Sequence, residues 1–426
     1  YGWHMRAGAW SANRDVGAAR VSWERACRIA DRLPDDDPDQ LSMRIAPRTM
    51  LCATDNWQIR AFDESRGRFA ELQELCSAAG DKVSLATGMS GLVTELLYSG
   101  RSREGSRVAS EQTALLESIG DPTLTMGLAF VALATWFDAG EIGEIVRWSQ
   151  TVIDLAEGDP AKGAGFGGIR SPLAVGVAFR GVARWWLGRP GWRQDLHDAV
   201  AMARNTDPAT LSLIVNWTYC VAIRYGVLRA DDSARCAIEE VVQTAQIAGS
   251  DIVLSFAGYT LGGVLLQRDA AADHQRGLEL MVQAREWARE RIPYLVPATE
   301  VFATQERARR GDRDAAIPVM RKAVDELHEA GRIGFGVWGA GVLVETLLER
   351  GAEGDLAEAH EAIDWLANLG ADQDSAMREI TLLRLRALLA RARGDDVAYR
   401  DLVSRYRAMA KSLGFEGHIA WAEAMP

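Results

Sequence analysis

The sequence predicts an all-α fold, an α-solenoid of about ten antiparallel helical hairpins wound as a right-handed superhelix. Three observations predict it. Apolar helical runs stop at short turns at Arg14-Asp15, Asn56, Gly100, Gly140, Gly188, Arg229, Arg268-Asp269, Gly311, Gly351 and Gly394. A second, interleaved series of breaks falls at Asp37-Pro38, Gly80-Asp81, Asp121-Pro122, Asp159-Pro160, Asp207-Pro208, Gly249-Ser250-Asp251, Pro293, Gly331, Gly370 and Gly414. Strand signals are nearly absent: Leu211 to Val215 and Ile223 to Val227 are short apolar runs inside helix-length segments.

The first series steps by about 40 to 48 residues, the period of tetratricopeptide-like two-helix units longer than the minimal repeat. The second series marks where one hairpin ends and the next begins. In Asp-Pro, the aspartate can cap the free N–H groups of a new helix, and proline fits the first turn, where its missing N–H costs nothing. A glycine before it suits the left-handed residue that closes the preceding helix. Within several second helices a small, a bulky and a small residue follow at i, i+4 and i+7: Ala19, Trp23, Ala26; Gly277, Met281, Ala284; Ala316, Met320, Ala323. These positions share one helical face, so small residues admit the paired helix and the bulky one fills the space between hairpins.

The period stretches once, where Gly163-Ala164-Gly165-Phe166-Gly167-Gly168 lies between two breaks. The expected organisation is therefore an N-terminal sub-array over 1–162, a Gly-rich loop or hinge over 163–171, and a C-terminal sub-array over 172–426 with a short capping tail.

Composition bounds the function. The chain has 426 residues, 48% of them hydrophobic, enough to bury a sizeable core. Its 48 basic and 59 acidic side chains give a net charge of −11, which argues against a nucleic-acid partner because phosphate binding needs a basic face. The five cysteines, Cys27, Cys52, Cys76, Cys220 and Cys236, form no CxxC pair and read as reduced core thiols of a cytoplasmic protein. The apolar run from Leu124 to Phe137 falls short of the roughly 20 residues a membrane span needs. Tyr1 to Ala7 has no signal-peptide layout and reads as the middle of a helix, so a chain cut from a longer protein is expected.

No motif carries catalysis. Gly163 to Gly168 is followed by Ile169-Arg170-Ser171-Pro172, without the Lys-Ser/Thr of a phosphate loop. A calcium loop counted from Asp35 meets Gln40 and Ala46 where glycine and glutamate belong. The histidines (His4, His197, His274, His328, His360, His418) show no zinc spacing, and there is no GxSxG elbow. No cofactor, metal or catalytic residue is expected. The densest aromatic–basic cluster is Arg180, Arg184, Trp185, Trp186, Arg189 and Trp192. Trp and Arg dominate binding hot spots, which makes Arg180, Arg184, Trp185, Trp186 and Arg189 the candidate binding residues. The alternative is an amphipathic helix with Trp buried and Arg snorkelling outward. Arg384, Arg386, Arg391 and Arg393 read as a solvated face.

Several segments carry a family resemblance: Arg20 to Asp31 with its acidic loop, Leu41 to Arg48, Ser110 to Asp121, Trp148 to Ala156, Phe179 to Trp192, Tyr225 to Asp232, Gly311 to Arg313 and Leu413 to His418. Across essentially the whole chain the sequence resembles the C-terminal helical-repeat region of actinobacterial, particularly mycobacterial, multidomain adenylate/guanylate cyclase–ATPase signalling proteins. The resemblance implies a class III cyclase domain and an ATPase domain upstream, whose catalytic residues have no counterpart here. It implies a non-catalytic regulatory or interaction arm, binding a protein, peptide or effector on its concave face, with the upstream domains as partners and neither nucleic acid nor membrane. The alternative is a constitutive scaffold, or the sensor arm of a signal-transduction ATPase transcriptional regulator. The ending Trp421 to Pro426 carries no basic recognition helix, which favours the cyclase-type parent.

Overall fold

The computed structural model describes residues 1–12, 15–34, 36–54, 62–165, 169–369 and 375–426. Among them every regular element is helical. The hairpins in chain order are α1 (Gly2–Ser11) with α2 (Val16–Ala30), α3 (Gln40–Ala53) with α4 (Phe62–Ala79), α5 (Lys82–Tyr98) with α6 (Ser102–Ile119), α7 (Pro122–Ala139) with α8 (Ile142–Ala156) and α9 (Pro172–Trp186) with α10 (Trp192–Ala203). The sixth opens with α11 (Pro208–Val215), runs through a π-helical turn Asn216–Val221 into α12 (Ala222–Arg224), and returns as α13 (Asp232–Ala248). Then come α14 (Asp251–Leu265) with α15 (Ala271–Arg291), α16 (Val296–Arg309) with α17 (Arg313–Glu329), α18 (Ile333–Arg350) with α19 (Asp355–Ala367), α20 (Ala376–Ala392) with α21 (Asp396–Leu413), and the tail helix α22 (Glu416–Glu423). A 3₁₀ turn, Pro293–Leu295, precedes α16.

Both series of breaks fall between these helices wherever the residues are described; Arg14, Asn56, Gly370 and 166–168 lie outside them, as does Asp35. Asp121 accepts from the N–H groups of Thr123 and Leu124 at 2.8 and 3.2 Å, with Pro122 in the first turn, and Asp207 does the same for Ala209 and Thr210. The other two Asp-Pro pairs start no helix. Asp37 and Asp159 each accept from the N–H two residues on, closing a local turn. α3 starts at Gln40 behind Asp39, and α9 at Pro172 behind Ser171, whose Oγ accepts from Ala174 at 3.2 Å. The side chain prefers its own turn when no apolar run follows at once.

The small–bulky–small triplets are all buried, and at the α14–α15 crossing a Cβ on Gly277 would lie 3.1 Å from Gly262 O. Second helices bury one stripe: α8 buries Ile142, Ile145, Trp148, Ser149, Val152 and Ala156. First helices behave differently. α7 is buried almost continuously from Leu124 to Ala139, and α18 from Gly334 to Val344. A helix apolar on all sides must be covered on all sides. α7 is the one helix among the described residues long and apolar enough to cross a membrane, and 78% of that window is buried inside the protein.

Neighbouring helices cover most of α7 and α18, and each covers a remaining face of the other. The superhelix turns far enough for its first helices to meet, α7 against α18, α9 against α20 and α5 against the 3₁₀ turn. One core therefore runs from Ala86 to Met425, while α1–α4 keep two smaller clusters around Trp23 and Leu72. The accessible surface is 18309 Å². A compact monomer of 46.6 kDa has about 16,000 Å². The contacts between early and late first helices close the concave side of the array along α5, α7 and α9.

The closure needs glycine. A Cβ on Gly334 would lie 2.6 Å from Phe137 O. Gly334→Ala should therefore destabilise the protein by about 1–3 kcal/mol through overpacking. Gly67→Ala, in α4 with nothing within 4 Å, should stabilise it by about 0.5–1 kcal/mol. Urea melts of the two variants check both signs.

Candidate functional site

Two features inside the closed superhelix are built from polar groups that an apolar core would not need. The first is the seam. Asp138 ends α7 and Arg332 precedes α18; they lie 194 residues apart, and both side chains are 2% exposed. Arg332 Nε donates to Asp138 Oδ1 and Oδ2 at 3.2 and 3.0 Å, Arg332 Nη1 donates to Tyr294 O at 2.5 Å, and Ser102 Oγ donates to Asp138 Oδ2. Arg332 also lies over the rings of Tyr294 and Phe335 at 4.4 and 4.7 Å. Four separate parts of the chain thus meet at this ion pair.

The second is a central cavity of about 100 Å³ between α12, α16, α18, α20 and α22, with Trp338, Trp421 and His418 in its wall. Three arginines line it: Arg224, Arg309 and Arg384. Arg384 pairs with Glu345 and lies 4.3 Å from the Trp421 ring. Arg309 donates to Leu266 O at 2.7 Å and lies 3.9 Å from the buried Glu306. Among the described residues Arg224 has no such acid. It is 5% exposed, donates from Nη2 to Tyr259 Oη at 2.7 Å and to Cys220 Sγ at 3.7 Å, and its Nε–H meets no acceptor. Aromatic faces surround it, Phe335 at 4.7 Å, Trp338 at 5.2 Å and Phe302 at 5.5 Å. Phe335 therefore carries Arg224 and Arg332 both, joining cavity to seam. The π-helical turn just before α12 sets the angle of Arg224; such turns insert one extra residue per turn and recur at functional sites.

The tail closes the cavity. Glu416 and His418 donate their backbone N–H groups to Val227 O and Gly226 O, each at 3.0 Å, where Gly417 faces Gly226 closely enough that a Cβ would lie 2.7 Å away. Arg193 pairs with Glu416 from outside. Gln267 and Trp421 are shared with a wider recess of about 600 Å³ that runs past Arg229 and Arg268.

The aromatic–basic cluster is divided. Trp185 and Trp186 are 0% and 3% exposed and pack on Tyr225 at 5.6 and 5.3 Å, with Phe137 edge-on to Trp186. Arg180 and Arg184 both grip the buried Asp195 of α10, at 2.7 and 2.6 Å. Arg189 is exposed. Trp192 is buried beside Phe415. Among the C-terminal arginines, Arg384 turns inward, whereas Arg386, Arg391 and Arg393 are exposed. Cys52, Cys76 and Cys220 are buried, but Cys236 is exposed, contrary to a core role for all five.

Two histidines are held neutral. Burial, with Arg384 nearby, pushes His418 down to about 3, and Tyr406 Oη lies 2.8 Å from its Nδ1. Burial pushes His328, stacked on Trp365 at 3.4 Å, down to about 4. The described residues contain no group of three or more His, Cys, Asp or Glu placed to hold a metal ion.

Sequence reasoning missed Asp138, Arg332 and Arg224. Each is a charge standing alone beside an apolar run, Leu124 to Phe137 for Asp138 and Cys220 to Ile223 for Arg224, and that isolation was the available signal.

No family model and no curated protein sequence matches the chain. Among solved structures, it is similar to a Rap protein complexed with competence and sporulation factor, at 12% identity and a TM-score of 0.46, covering 80% of this chain and 96% of that one.

The seam predicts a double-mutant cycle. Asp138→Leu or Arg332→Met alone should each cost about 3–5 kcal/mol by leaving a buried charge unpaired. The double variant should recover most of that loss, whereas additive losses in urea melts would remove the pair from the account. The neutral histidines predict acid sensitivity. Their folded pKa values lie below the unfolded 6.5, so the unfolded chain binds more protons below that pH. Stability should be full above pH 6.5 and fall as the pH drops toward 4, with a shallower fall for His328→Phe, read from Tm against pH.

Proposed function

We propose that this chain is a non-catalytic regulatory and interaction arm, housed in the cytoplasm, that takes a protein, peptide or effector within a helical-repeat body. We further propose that its parent is a class III nucleotide cyclase-type signalling protein. The observation that carries the reading is the closure of the superhelix through a single buried ion pair, Asp138–Arg332. Helical-repeat stability is a sum of neighbour contacts, so an array bends as a spring. A spring whose distant turns are also fastened has two arrangements, fastened and released, and a ligand with different affinity for the two shifts their balance.

Several observations support the finer statements. The resemblance of the segments from Arg20 to His418 supports the cyclase parent. The −11 charge supports a protein or small-molecule partner over nucleic acid. In the proposed division into sub-arrays 1–162 and 172–426, Asp138 belongs to the first and Arg332 to the second, so the seam ties the two together. The absence of any catalytic motif in the sequence supports a role exercised through the upstream domains.

The test is nucleotide cyclisation by the natural full-length polypeptide carrying this chain, intact and with Arg332→Met. The variant should change the basal rate or the response to effectors several-fold. Equal rates for the intact, substituted and arm-deleted proteins under every effector condition would overturn the reading.

A further inference from the structure

We propose that the central cavity is the effector site of this arm, and that it binds a carboxylate on a short apolar stem, with Arg224 receiving the negative charge. This rests on the regulatory reading above and supplies its ligand chemistry.

Charge balance carries the argument. Around the cavity Arg384 is matched by Glu345 and Arg332 by Asp138, while Arg309 lies 3.9 Å from Glu306, whose carboxylate also takes Arg310 at 2.8 Å. Among the described residues Arg224 has no carboxylate partner: its hydrogen bonds go to a phenol and a thiol, and its Nε–H meets no acceptor. A guanidinium stays protonated in a protein, and a buried charge without a counter-charge costs several kcal/mol. Three aromatic faces offset part of that cost. A core position with no further role would be filled more stably by methionine or leucine.

Arg224 carries one positive charge, and a carboxylate supplies the single negative charge that it lacks. Arginine receives a carboxylate in a planar, two-pronged geometry. The space fits: the cavity is about 100 Å³, where one water needs on the order of 10–15 Å³. Trp338 and Trp421 offer apolar walls for the stem, and the neutral His418 adds no charge. The recess sharing Gln267 and Trp421 provides the approach from solvent. Phe335, in contact with both Arg224 and Arg332, links occupation of the site to the seam.

Two sources offer this chemistry, a free short-chain acid and the C-terminal carboxylate of a peptide. Thermal unfolding and calorimetry of the whole chain with butyrate, tetra-alanine acid, and the neutral butyramide and tetra-alanine amide separate them. A saturable rise in Tm is expected with at least one acid and not with its amide; butyrate alone identifies a free acid, and the peptide acid alone or more tightly identifies a peptide terminus. Arg224→Met should weaken that binding about tenfold or more while leaving the ligand-free Tm equal or higher. Gly341 lines the cavity with nothing within 4 Å of its Cβ position, so Gly341→Val should block the site without touching the arginine. No saturable binding of either acid, or undiminished binding by both variants, would overturn the proposal. Binding without any effect on the parent's cyclisation would instead leave the site standing and remove the regulatory reading.

Discussion

The Asp138–Arg332 pair is the constraint on which the rest of the structure depends. Repeat arrays otherwise have only neighbour contacts, and nothing in such contacts makes a chain close. Here the first helices of early and late hairpins share one apolar core, and a fully buried ion pair fixes how they meet. Burying the two charges is costly, and Ser102, the Tyr294 carbonyl and two aromatic faces offset part of that cost, although Arg332 Nη2 meets no acceptor. Such a pair selects one register of closure, since any slip would leave both charges unmatched. Apolar contact alone would tolerate many.

Closure changes what kind of binding surface the fold offers. An open superhelix presents a long concave face, whereas here a small polar pocket lies between α12, α16, α18, α20 and α22 and is reached past Trp421. The pocket holds an arginine with no acid partner among the described residues and stands one ring away from the seam. Placing an unmatched charge beside the latch gives a bound anion leverage on the fold that a ligand on the outer helices would lack. The N-terminal hairpins, with their smaller separate clusters, stand outside this arrangement.

The hairpin array was legible because its signals are local. Glycines that end helices, such as Gly120 at φ 70°, and capping aspartates, such as Asp121 and Asp207, each act within a few residues, and their spacing reveals the period. The two Asp-Pro pairs that misled, at Asp37 and Asp159, are equally local but close turns in place of helices. Closure was much less legible, because it joins residues far apart in sequence. Its trace was the all-round apolarity of α7 and α18, which no helix facing an open groove could support. The Trp185–Trp186 cluster drew attention through composition, yet Trp and Arg at this spacing suit packing as well as binding, and here the two rings pack on Phe137 and Tyr225.

Small-angle X-ray scattering from this chain in solution tests the closure most directly. A closed superhelix should scatter as a compact body with a radius of gyration close to the roughly 22 Å expected of a globular chain of this length. A distance distribution stretched along one axis, with a radius well above about 30 Å, would mean that α7 and α18 are apart in solution and would contradict the account.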